Sequence, residues 1–171
     1  MIKKVFIIII VFLFLTPSYC FAKTDYILAW PGILPDHPLY KLKVLRNKII
    51  YKIIIDPVKK VEFDLLMADK TIYASKLLVD KGETALAKDT ALKGENYYSM
   101  LAQDYNHALL KGKKIPSLLD SKIILAAKKH QEIFKEMENV FSEEDKKTFR
   151  IVNNFSKINY DFIVELRNPR N

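Results

Sequence analysis

The chain has 171 residues, half of them apolar, a formal net charge of +8, one cysteine and only four glycines. That composition excludes a disordered polar tract, a disulfide-stapled scaffold and a loop-dominated β-fold. A basic balance suits an anionic partner without establishing one.

The first residues read as a secretory signal. Lys3 and Lys4 form a charged start, Val5 to Leu15 is an unbroken apolar core, and Cys20-Phe21-Ala22 puts small residues where a signal peptidase reads. Cleavage is expected after Ala22. The core is shorter than the roughly 20 apolar residues of a membrane span. Because the uncharged stretch continues to Ala22, an uncleaved single-pass anchor is the alternative. Lipid attachment at Cys20 calls for small residues ahead of it, and Pro17 and Tyr19 stand there. The expected destination is therefore outside the cytoplasm: periplasmic, extracellular or membrane-associated. Loss of residues 1–22 lowers the charge to +6 and leaves no cysteine, so the exported chain must hold together by its core. No nucleic-acid-binding motif is present, and nucleic acid is not an expected partner.

Residues 23–38 form a proline-rich leader. Pro31, Pro35 and Pro38 remove backbone donors and push their predecessors toward extended conformations. The prolines are expected to hold Ala29 to Pro38 extended, with Trp30, Ile33, Leu34 and Tyr40 packing back on the domain. Trp30, Pro35, Pro38, Leu39 and Tyr40 would then form a structural latch.

The remainder, 39–171, reads as a single helical domain. Leu39, Leu42, Leu45, Ile49, Ile50 and Ile53 recur at helical spacing and predict a first helix over 39–55. Asp56-Pro57 is a stop followed by a start, with Asp56 as N-cap. Val58, Val61, Leu65, Ala68, Ile72, Ser75 and Val79 predict a second helix over 57–81, closed by Gly82. Ala87, Ala91, Gly94, Tyr98, Leu101, Tyr105 and Ala108 predict a third over 83–111, with room for close approach at Gly94. A fourth, over 117–141, carries Leu119, Ile123, Ala126, His130, Ile133, Met137 and Val140. Ser142 with Asp145 resembles a capping box, opening a fifth helix over 143–167 with Val152, Phe155, Phe162 and Leu166 inward. No segment alternates with a two-residue period. The fold class is all-α, an elongated bundle of about five helices.

Several stretches resemble the exported bacterial family known as domain of unknown function 5667. The entry is "LPDHPLYKLK", with Leu34-Pro35 and Pro38-Leu39-Tyr40 followed by Lys43. Asp56-Pro57 with "KKVEFDLLMADK", the Gly-acidic turn of "DKGETALAKDTALKGENYY" and "KKHQEIFKEM" around His130 extend the likeness over roughly 31–141, more weakly beyond. The resemblance implies export and a helical fold, and it brings no activity or catalytic residues.

Chemistry-bearing patterns are sparse. Asp104 and His107 could meet on one helix face, but metal sites in bundles use matched Glu-x-x-His pairs, and no matching motif exists here. His130 lies on an apolar stripe, where a core-edge histidine bonded to a neighbouring helix is the expectation. Glu143, Glu144 and Asp145 complement a helix dipole. Asn154-Phe155-Ser156 has the form of a glycosylation sequon, but Phe155 is predicted buried, so the match is read as accidental. No catalytic residue, metal ligand or cofactor site is expected. The first helix is different: Lys41, Lys48 and Lys52 share one arc beside the apolar arc, and Lys59 and Lys60 extend the charge. The expected role is a non-enzymatic structural or interaction module of the cell envelope, meeting another envelope protein. The alternatives are a peripheral binder of an anionic membrane or polymer through that helix, and a helical-bundle metal or small-molecule sensor.

Overall fold

The computed structural model describes residues Thr24–Asn168, so the expected signal peptide lies outside the described residues. Five helices follow one another: α1 Tyr40–Ile53, α2 Pro57–Asp80, α3 Thr84–Leu110, α4 Ser117–Glu138 and α5 Glu143–Arg167. No strand occurs among the described residues. The fold is an all-α bundle.

Local chemistry sets the helix ends. Asp56 Oδ1 accepts from the backbone N–H of Val58 at 2.8 Å and Lys59 at 3.4 Å, and Pro57 occupies the first helical position, where no N–H is needed. Gly82, at φ +79°, ends α2 and lets the Glu83 N–H return to the Leu78 carbonyl at 2.9 Å. Gly112 ends α3 in the same way. α4 stops at Glu138, short of the expected 141, which leaves Val140 in solvent.

The α2–α3 hairpin is the centre of the molecule and its most extensive helix–helix contact. Gly94 on α3 lies against α2 so closely that an added Cβ would sit 2.5 Å from Ile72 Cγ1 and 3.1 Å from the Ile72 backbone nitrogen. Ala68, Ala87 and Ala91 are likewise fully buried. α4 packs on α2, and α5 packs on α4 and α3. The core has two apolar clusters. One holds Leu65, Tyr98, Leu101, Tyr105, Ile123 and Ile163, the other Leu28, Ile72, Phe134, Met137, Phe149 and Val152.

α5 departs in part from its expected face. Val152 and Leu166 pack inward as expected, but Phe155 and Phe162 are exposed, and Phe149, Ser156 and Ile163 are buried instead. The rotation has a polar cause: Asn159 Nδ2 donates to Glu95 Oε1 and to Ser99 Oγ on α3, both at 2.7 Å. Reading by hydrophobicity alone placed a phenylalanine where a buried serine belongs. The ground for reading the Asn154 sequon as accidental does not hold, because Phe155 is exposed; the buried member of that triplet is Ser156.

The leader also differs in part. It has no regular secondary structure through Gly32, and residues 34–40 make two successive turns, with the His37 N–H on the Leu34 carbonyl at 3.1 Å and the Tyr40 N–H on the His37 carbonyl at 2.9 Å. Pro35 and Pro38 each occupy the second position of a turn, where a fixed φ is favoured. Trp30 is 64 % exposed and meets Tyr73 edge-on at 5.5 Å, whereas Leu28 is 8 % exposed and belongs to the core. Pro31 is buried as well. Truncating Leu28 to Ala should therefore cost about 2–4 kcal/mol in denaturant unfolding. Trp30→Ala should cost about 1 kcal/mol, the scale of one exposed ring contact. Equal losses would show that the tryptophan bears the leader's weight.

Candidate functional site

At 3.6 residues per turn the apolar arc of α1 should face the bundle. It faces outward. Leu42 is 63 % exposed, Leu45 55 %, Ile49 50 % and Ile53 69 %, while the one buried residue of α1 is Asn47, at 7 %. Lys41, Lys48 and Lys52 are exposed along the edge of this arc, and Leu39 is exposed at its start. No acidic residue lies between Leu39 and Ile55.

Polar and aromatic contacts explain the reversal. Asn47 Nδ2 reaches Met67 Sδ at 3.1 Å, and Arg46 donates to Asn47 Oδ1 at 2.9 Å. Tyr51 donates its hydroxyl to Asp104 Oδ2 at 2.9 Å, and its ring meets Phe63 at 6.0 Å. Lys43 Nζ donates to the Pro31 and Ile33 carbonyls at 2.7 and 2.9 Å, tying the leader to α1, and lies 5.3 Å over the Tyr40 ring. Burial first, then Lys70 and Arg46, lower its pKa. Lys59 is exposed on α2, and Lys60 is half-buried, 4.7 Å over the Tyr51 ring. Those two lysines therefore do not extend the arc of α1 itself. No helix of the described residues is long and apolar enough to cross a membrane.

A second constellation lies inside the bundle. Asp69, Glu95, His130 and Ser156 are buried, one on each of α2 to α5, at positions between those that feed the two apolar clusters. His130 Nε2 is 2.8 Å from Asp69 Oδ1, and Asp69 Oδ2 accepts from the Tyr26 hydroxyl at 2.7 Å. With a carboxylate as acceptor, Nε2 carries the proton. Nδ1 has no partner, and His130 is wholly buried against the edge-on ring of Tyr98. His130 thus lies deep in the core rather than at its edge, and its partner is an aspartate. The pair ties α4, α2 and the leader together. Sequence reasoning singled out His130 and missed Asp69 and Glu95, which look like ordinary solvated charges on otherwise regular helices.

Asp104 and His107 do not act together: Asp104 turns to Tyr51, and His107 is exposed. Among the described residues no three of His, Cys, Asp and Glu gather at metal-binding distance.

Residues 32–144 match the family described as Domain of unknown function (DUF5667). The chain belongs to that family. No curated protein and no solved structure matches it. Several residues that carry the family likeness have structural tasks. Pro35 and Pro38 open the two turns, Lys43 pins leader to helix, Asp56 caps α2, and His130 holds Asp69.

Two buried carboxyls make a prediction about pH. Asp64 is pushed up to about 8 by burial and then by the neighbouring Asp104 carboxylate. Glu95 is pushed up to about 8 by burial, against the opposing hydrogen bond from Asn159. A carboxyl whose folded pKa is raised stabilises fully below its unfolded pKa of about 4, and that contribution is lost as pH rises through the folded value. The melting temperature should therefore lose this contribution between about pH 4 and about pH 8, and Glu95→Gln should lessen the fall and exceed the native protein at the upper end. An unchanged slope in Glu95→Gln would contradict the assignment.

Proposed function

We propose that this protein is a non-enzymatic module of the bacterial envelope that docks on an anionic membrane surface through α1. The observation that carries the reading is the orientation of α1, whose apolar arc faces solvent while an asparagine faces the bundle. An exposed Leu/Ile stripe bordered by Lys41, Lys48 and Lys52 has the form of an interfacial helix lying in the headgroup plane. Trp30, exposed beside Leu39 and Leu42 around one surface hollow, continues the apolar surface with the residue type that favours membrane interfaces. Charge selects the surface: a lysine border without a carboxylate favours anionic lipid over neutral lipid and over an acid-rimmed partner protein.

The test is co-sedimentation of residues 23–171, the form expected after signal cleavage, with anionic and neutral vesicles at low and high salt. Binding should be selective for anionic vesicles, weaken with salt and shift the emission of Trp30, the chain's one tryptophan, to the blue. At roughly 1 kcal/mol per lysine near the headgroups, Lys41→Gln, Lys48→Gln and Lys52→Gln together should reduce binding about 100-fold. Equal binding by the triple variant would contradict the reading. So would a dimer that Leu42→Ser dissolves, because a second copy would then be what covers the stripe.

A further inference from the structure

Alongside α1 runs a groove of about 590 Å³, closed on its far side by α2 and α3. Phe63, Tyr97 and Met100 are among the residues that form its apolar wall, and Lys48, Lys52 and Lys93 also line it. All three lysines are exposed. None of the lining residues is acidic. The groove exists because α1 approaches the other helices' backbones only sparsely and meets the hairpin through Asn47 and Tyr51. Its volume falls within the range of small-molecule sites, which are mostly apolar with a few placed polar groups.

We infer that this groove binds a free single-chain anionic amphiphile, with the acyl chain along Phe63, Tyr97 and Met100 and the acidic headgroup at Lys48, Lys52 and Lys93. Charge complementarity fixes the class. An apolar trough with three cations and no carboxylate repels a cationic chain and gives a headgroup-free hydrocarbon nothing to orient it. At about 590 Å³ the trough suits a single chain better than a paired-chain lipid, which stays in the bilayer. The groove adjoins the docking stripe and shares Leu45, Ile49, Lys48 and Lys52 with it, but Leu42 and Ile53 do not line it, and its far wall of Phe63, Lys93, Tyr97 and Met100 lies on α2 and α3.

Calorimetric titration of residues 23–171 with laurate below its micellar concentration tests the inference. Dodecyltrimethylammonium serves as the cationic chain and inorganic phosphate as the headgroup alone. Laurate should saturate at one per chain, the cationic chain should bind at least about tenfold more weakly, and phosphate should not bind. Met100→Trp, which fills the trough, should abolish laurate binding, and Lys93→Gln, at an exposed position, should weaken it several-fold. Both should keep native vesicle binding, while Leu42→Ser with Ile53→Ser should weaken vesicle binding and keep laurate. Absence of saturable laurate binding would overturn the inference, as would equal affinity for the cationic chain or unchanged affinity in a folded Met100→Trp.

Discussion

Close approach of α2 and α3 at Gly94 is the constraint on which the rest of the molecule depends. With no side chain there, Ile72 and its backbone come within a distance no Cβ could share, and fully buried alanines continue the seam. The hairpin so formed serves both halves of the structure. α4 and α5 complete the core on it, and the leader and α1 lie against it through a few long side chains. A helix stood off by tyrosines and an asparagine cannot bury its leucines, and its apolar arc is left to the surroundings.

The interior has a second logic. Asp69, Glu95, His130 and Ser156 interrupt what would otherwise be one continuous apolar core, each at a cost unless it finds a partner. Asp69 is satisfied twice, by His130 and Tyr26, and Glu95 once by Asn159. These bonds fix the rotation of α5 and the seat of the leader, since an apolar contact tolerates sliding and a hydrogen bond does not. The tension is visible in Glu95 and Asp64, which burial holds toward their neutral forms.

Helix number and order, the Asp56 cap and the Gly82 stop were legible in the sequence because each depends on residues within a few positions of one another. Gly94 was legible for a related reason: small residues at a helical spacing mark a seam. What escaped depends on distant partners. Nothing local to α1 says that Asn47 meets Met67 or that Tyr51 meets Asp104, so the leucine stripe looked inward by default. In α5 the hydrophobic ranking favoured Phe155 over Ser156, while the contact across to α3 is made by Asn159. The lysines beside the stripe were readable as an arc; that the arc borders solvent-facing leucines and a groove was not.

The outward orientation of α1 is the claim on which docking stripe and groove both rest, and single-cysteine labelling tests it directly. The chain's only cysteine, Cys20, precedes residue 23, so residues 23–171 give a blank background. Cysteine is introduced singly at Leu45, Ile49 or Asn47, and its rate of reaction with a small thiol reagent is compared with the rate in denaturant. Cysteines at 45 and 49 should react nearly as fast folded as unfolded, and a cysteine at 47 far more slowly. Fast labelling at 47 with protection at 45 and 49 would mean that α1 packs its leucines inward, and the account would fail.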